Sequence, residues 1–178
     1  ERTYVDIDLL KKGYEIETKL AGISELKIRN KETVIGMGRI MLQEGYDAEF
    51  VAGMLGNIES EGSAGHLESS NYDKKKPPAY IVKLNTHGYE NYSGGNIGTI
   101  GVSQLIAYSH YIHDECNIGT YGIGCIQWTP WDRHIGLLET YQQMNNNYPT
   151  INECIKTEAT YMLYEISPDS KSFSGLMG

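Results

Sequence analysis

The sequence predicts a mostly α-helical single domain with few short strands. Three observations lead there. Apolar residues recur at helical spacing along most of the chain from residue 30 onward. Helix start and stop residues bracket those stretches, and alternating apolar–polar runs are scarce. A length of 178 residues and a mass of 20.0 kDa suit one domain with a sizeable core.

Taken in order, residues 1–29 read as an N-terminal arm or linker, where Thr3 to Asp8 alternates weakly like a short strand. The first residue is Glu1, not Met, and no basic segment followed by an apolar stretch opens the sequence, so the chain reads as a mature product or an excised domain. Asn30 is placed to cap a helix running to about Glu44, with Val34, Ile35, Gly38, Met41 and Leu42 on one side, and Gly45 ends it. Asp47 caps the next helix. Its stripe is Phe50, Val51, Met54, Leu55 and Ile58, and it ends near Gly62.

Residues 62–95 read as a long surface excursion, punctuated by Lys74-Lys75-Lys76-Pro77-Pro78 and Ser93-Gly94-Gly95-Asn96. Residues 97–113 suit a helix with Leu105, Tyr108 and Ile112 in line. Residues 119–128 read as a turn or short extended piece. Thr129 as cap, Pro130 at the first helical position and Asp132 completing a capping box start a helix that runs to about Met144. The last helix spans about Ile151 to Ile166, with Ile151, Ile155, Ala159, Met162 and Ile166 inward.

Composition excludes several roles. Fifteen basic side chains against 23 acidic give a net charge of -8, unsuited to the phosphate neutralisation that drives nucleic-acid binding. No apolar run approaches the ~20 residues a membrane span needs. Cys116, Cys125 and Cys154 cannot all pair within one chain and form no CxxC, so a disulfide framework is not expected, and one disulfide plus a free thiol is the alternative. The 14 tyrosines suit sugar surfaces and half-buried positions alike.

Chemistry centres on the end of the second helix. Glu61 follows Phe50 by eleven residues and Met54 by seven, which places it within about 20° of both on a helical wheel. Glu59 points roughly opposite. A carboxyl on an apolar face loses hydration, which favours the protonated form that a general acid needs. The same pattern also suits a frayed, hydrated helix end.

The stretch Ala52-Gly53-Met54-Leu55-Gly56-Asn57-Ile58-Glu59-Ser60-Glu61-Gly62 resembles the catalytic helix of phage tail lysozymes, in the lysozyme-like superfamily. Gly122-Ile123-Gly124-Cys125-Ile126-Gln127-Trp128-Thr129, followed by Arg133 and Leu137, resembles the family's Gly-rich Gln-Trp-Thr segment. It also parallels a motif of lytic transglycosylases, with Gln127 on their Gln. Leu163-Tyr164-Glu165-Ile166 is similar to the family's closing helix. Gly62 departs from the Ser usual there, Ser63 being the nearest hydroxyl, and the segment 66–118 is longer than the family leads one to expect.

The resemblance implies a lysozyme-like (α+β) catalytic domain over residues 30–166, flanked by the arm at 1–29 and a C-terminal linker at 167–178. It implies cleavage of the β-1,4 bond between N-acetylmuramic acid and N-acetylglucosamine, with Glu61 as general acid. Gln127, Trp128, Tyr121 and Tyr161 would then shape the sugar cleft. Trp128 equally suits the core. Peptidoglycan strands are the implied partner, with no cofactor, no metal, no nucleic acid and no membrane insertion. A phage tail or a secreted wall protein is the implied setting, with this chain as part of a larger assembly.

Glycosidases usually employ two carboxyls, and candidates for the second are Glu68, Asp73, Asp132, Glu158 and Glu165. Asp132 suits capping better. Glu158 and Glu165 suit burial opposite Arg39 or Arg133. With no second acid, a lytic transglycosylase yielding anhydro sugars is the alternative to a hydrolase. Two other readings differ in kind. His110, His113, Asp114, Glu115 and Cys116 could bind zinc in an amidase or peptidase, and a wall-binding module would keep Gln127 and the aromatics without needing Glu61. Cys125 with His134 loosely suggests a cysteine nucleophile, but the cap position belongs to Thr129, so burial is the better reading.

Overall fold

A computed structural model describes residues 7–25, 30–68, 78–117 and 119–166. These form eight helices: α1 Ile7–Glu25, α2 Lys31–Gln43, α3 Ala48–Glu61, α4 Pro78–Thr86, α5 Ile97–Ile100, α6 Val102–His110, α7 Trp131–Met144 and α8 Ile151–Ile166. The chain is therefore mostly helical, as expected. No helix among the described residues is long and apolar enough to cross a membrane. Residues 1–6, Asp73, the Lys74–Pro77 run and the 167–178 stretch lie outside the described residues.

Helix α2 is the hub, packed by α1, α3 and α8. Its Met37 and Met41 are fully buried. Two glycines let its neighbours approach. A Cβ at Gly36 would lie 2.8 Å from Ile155 Cγ2 of α8, and one at Gly38 would lie 3.0 Å from Leu55 Cδ1 of α3. Asp47 caps α3 as expected, its carboxylate accepting from Phe50 N at 2.9 Å.

The buried line of α3 differs from the expected one. Val51, Leu55 and Ile58 are buried, whereas Phe50 and Met54 are only half-buried. Steps of four, three and four residues carry that line to buried Gly62, not to Glu61, which is exposed. Each buried side chain of this set contributes about 1.5–3 kcal/mol of apolar burial.

Other elements depart from expectation for local reasons. The residues read as an arm contain the 19-residue helix α1, which buries Ile16 and Leu20 and ties Glu17 to Arg39 at 3.1 Å. Ile7 and Asp8, read as the end of a strand, are helical. Asn30 sits in the left-handed region (φ 57) and makes no side-chain cap. Within the expected excursion, Pro78 starts α4, because a proline in a first turn forfeits no internal hydrogen bond.

The expected helix over 97–113 is broken at Gly101, whose φ of 107 suits glycine, and α6 runs on into a π-helical turn at Tyr111–Glu115. The cap of α7 is Pro130, one residue later than expected, and Thr129 Oγ1 instead donates to Gln127 O at 3.1 Å. Among the described residues the few short strands reduce to two antiparallel bridges, His66 with Asn96 and Leu67 with Ile123. They make residues 65–68 the middle of three extended segments, joined by Leu67 N to Gly95 O (2.9 Å) and Glu68 N to Gly122 O (2.8 Å).

Candidate active site

The end of α3, the extended segment after it and the 122–127 turn meet in a cavity of about 450 Å³. Asn30, Glu61, Gly62, Ser63, His66, Glu68 and Gln127 line it. Glu61 and Gln127, singled out from distant segments, thus share one cleft. The apolar flank expected for Glu61 is absent: it stands exposed at the last position of α3, about 60° off Ile58.

Neighbouring side chains hold the rim in place. Ser63 Oγ donates to Asn30 Oδ1 at 2.6 Å, and Asn30 Nδ2 donates to Glu59 O at 3.3 Å. Ala64 N donates to Thr33 Oγ1 at 3.2 Å. The segment after α3 is therefore pinned to the start of α2. Across the cleft, Gln127 has φ 55 and its side-chain amide donates to Gly124 O at 2.8 Å. Among the described residues, Asn30, Asn117 and Gln127 are the non-glycine residues with left-handed backbone, and two of them line this cavity. Such conformations cost of order 1 kcal/mol and persist only where surrounding contacts enforce them.

Glu68 is the candidate second carboxylate that faces the cleft. It is half-buried, and its Oε2 accepts from Gly122 N at 3.1 Å. Asp132 is exposed in the first turn of α7. Glu165 is buried and accepts from Trp128 Nε1 at 2.6 Å and from Arg133 Nε and Nη2 at 2.6 and 3.0 Å. That is the Arg133 partnership expected of it. Glu158 is also buried but pairs with neither arginine. It accepts from Gly65 N at 2.6 Å, from Cys125 N at 2.7 Å and from the Tyr141 hydroxyl. Burial pushes its carboxyl up while these donors oppose the rise. Burial, with Glu158 beside it, also pushes the Tyr141 hydroxyl up, which keeps that group a donor.

The aromatic residues expected in the cleft are elsewhere. Trp128 is fully buried, closing the network around Glu165. Tyr121 is buried against Tyr108, with ring centroids 5.3 Å apart, and its hydroxyl meets Ser109 Oγ at 2.9 Å. Tyr161 lies against Trp128 at 5.8 Å and donates to Arg133 O at 3.0 Å. Trp128 packs on Tyr161, and Tyr121 on Tyr108, because the core of a largely helical protein needs large apolar faces with satisfied polar tips.

The competing constellations have structural duties. His110 Nδ1 and His113 Nδ1 each meet the Asp114 carboxylate, at 2.9 and 2.7 Å, and His113 stacks on Trp131 at 3.8 Å. Hydrogen bonds from those two rings hold the Asp114 carboxyl below its usual range. Among the described residues no group of three potential ligands is arranged around a metal position. Cys125 is completely buried and burial pushes its thiol up, so it is no thiolate.

His134 is buried too. Its Nδ1 meets Trp128 O at 3.0 Å and its Nε2 meets Ser109 Oγ at 2.9 Å. Because a carbonyl only accepts, Nδ1 carries the proton, Ser109 donates to Nε2, and Tyr121 donates to Ser109.

Asn30 and His66 were missed as cleft residues, whereas Ser63, the nearest hydroxyl after Gly62, does line the cleft. Only asparagine's tolerance of left-handed backbone hinted at Asn30.

A family model described as phage tail lysozyme matches residues 34–177. No curated protein and no solved structure matches the chain.

Proposed function

The chain belongs to the phage tail lysozyme family, and we propose on that premise that it lyses peptidoglycan by cleaving the β-1,4 bond between N-acetylmuramic acid and N-acetylglucosamine. One observation carries the reading beyond family membership. Glu61 and Gln127, drawn from separate motifs, line the same open cavity together with a second carboxylate, Glu68.

In this reading Glu61 protonates the oxygen that leaves C1 of the muramyl sugar. Exposure in the free domain suits a group that must reach substrate. Gln127 retains one amide hydrogen beyond its bond to Gly124 O and so can donate to a sugar oxygen. Glu68, held by Gly122 N, accepts a proton from the attacking water, which completes hydrolysis and leaves an ordinary reducing end.

Trp128, Tyr121 and Tyr161 take no part in sugar contact here; they fix the wall behind Gln127. Peptidoglycan strands are the partner, and a phage tail is the setting that family membership favours. The arm at 1–29, the catalytic region at 30–166 and the linker at 167–178 remain part of this proposal.

Glu61→Gln should abolish lysis of purified walls with little change in Tm, since Glu61 is exposed, and Glu59→Gln should be mild. A fully active Glu61→Gln protein would overturn the assignment. Mass detection of the separated digest checks the role of Glu68. Products dominated by anhydro sugars, lighter by one water, would replace the water step with attack by the muramyl 6-hydroxyl.

A further inference from the structure

Glu158 has no place in the chemistry above, yet it touches both sides of the cleft from behind. Its Oε2 accepts from Gly65 N, in the segment that carries Ser63, His66 and Glu68. Its Oε1 accepts from Cys125 N, in the turn that carries Gln127. Glu68 bridges the two segments from within the cleft, through Gly122 N, whereas Glu158 does so from the buried side. We propose that Glu158 is a positioning residue, a buried clamp that sets the Glu61 rim and the Gln127 turn at the spacing the substrate requires. This inference rests on the proposed glycan-cleaving site.

Three features of the junction support it. The first is fit: Gly124 has φ 87, and a Cβ there would lie 2.6 Å from Glu158 Oε1, so the turn closes onto the carboxylate only because it lacks a side chain. Gly65 has φ 76 and is hemmed by Ile97 and Cys154 at 2.9 and 3.0 Å from a Cβ position. The second is saturation. Two backbone N–H groups and the Tyr141 hydroxyl converge on one carboxyl group and engage both of its oxygens. The third is reach. The clamp joins residues 93 and 33 positions away in sequence, and so reinforces from behind, at Gly65 and Cys125, two segments that pair directly at residues 66–68 and 122–124.

Glu158→Gln has a defined consequence. Glutamine supplies one accepting oxygen and one amide that only donates. Its oxygen is best kept where two donors converge, at Gly65 N and Tyr141, which leaves the amide facing Cys125 N–H. The Gln127 turn then loses its anchor at Cys125 and is held to the segment after α3 by the pairing of residues 66–68 with 122–124 alone. Displacement of a substrate-positioning group by about 1 Å can cost on the order of 100-fold in rate.

The test is a double-mutant cycle between Glu158→Gln and Gln127→Ala, read as kcat/KM on solubilised peptidoglycan strands well below the Tm of each variant. Expected is a loss of about 100-fold for Glu158→Gln alone, mostly in kcat, and less than about fivefold in the Gln127→Ala background. Tyr141→Phe removes a donor outside the cleft and should lower Tm while keeping kcat/KM within about twofold. If Glu158→Gln does not fold, Gly124→Ala presses on the same junction from the loop side and enters the same cycle. Glu61→Gln is run in parallel. An active Glu61→Gln overturns the glycosidase reading itself. An inactive one, together with equal losses in both backgrounds or a Tyr141→Phe loss matching that of Glu158→Gln, overturns the clamp alone.

Discussion

Acid should unfasten this protein at His134. The ring is fully buried, and burial lowers its pKa from 6.5 to about 4 against two opposing backbone hydrogen bonds. The neutral ring donates to Trp128 O and accepts from Ser109, and protonation removes that acceptor. A folded-state value below the unfolded one means that the unfolded chain takes up its proton first. The contribution is therefore complete above pH 6.5 and is lost as pH falls from 6.5 towards about 4.

At about 1.4 kcal/mol for each tenfold difference in proton affinity, that gap is worth about 3 kcal/mol. In a domain of this size this corresponds to a fall in Tm of roughly 6–12 °C. Carboxylates titrate in part of the same window, so the comparison with a variant isolates the ring. Urea unfolding of the native protein and of His134→Gln is measured at intervals from pH 7.5 to 4. The native protein should lose about 3 kcal/mol more than the variant across that range. Direct titration of the His134 ring by NMR gives the same information. A midpoint near 6.5, or parallel pH profiles for the two proteins, would refute the reasoning.

Glu165→Ala should destabilise by about 3–5 kcal/mol in urea unfolding, because it removes at once the acceptor of the buried Trp128 indole N–H and the carboxylate that half-buried Arg133 grips with two nitrogens. A change below 1 kcal/mol would show that this network does not hold the wall. Exhaustive chelation should leave lysis unchanged, since the His110 and His113 rings are engaged by Asp114 and Trp131. Loss on chelation with recovery on added zinc would revive the amidase reading. With a net charge of -8, the isolated chain should bind anionic walls poorly at low salt and better at moderate salt, as measured by pull-down with intact cells. Strong binding at low salt would contradict this.

The sequence made some of this legible and hid the rest for physical reasons. The Asp47 cap and the stop at Gly62 bounded α3, and the stripe of α8 spans Ile151 to Ile166 as expected. The face of α3 was misjudged because Phe50 and Val51, like Met54 and Leu55, are adjacent apolar pairs. Which member faces inward depends on where α2 lies. Helix α1 was missed because Ile16 and Leu20 alone are buried among its residues of described exposure, too sparse a stripe to register. Glu61 and Gln127 were found through motifs, whereas Asn30 was read as a helix cap and its bond to Ser63 spans 33 residues. Glu158 was expected to meet an arginine. Its true partners are backbone N–H groups, which no residue type announces.

The order of the chain gives the Glu158 junction a temporal meaning. Synthesis delivers Glu61, Ser63 and Gln127 well before α8, and the acceptor for Gly65 N arrives 93 residues after its donor. A chain emerging from the ribosome therefore exposes every cleft side chain while both backbone donors still lack their shared carboxylate. The two walls pair directly through Glu68 N and Gly124 N, but only when the last described helix docks on α2 do Gly65 N and Cys125 N gain their shared acceptor. A chain cut short of α8 therefore carries the reactive groups without the buried carboxylate behind them.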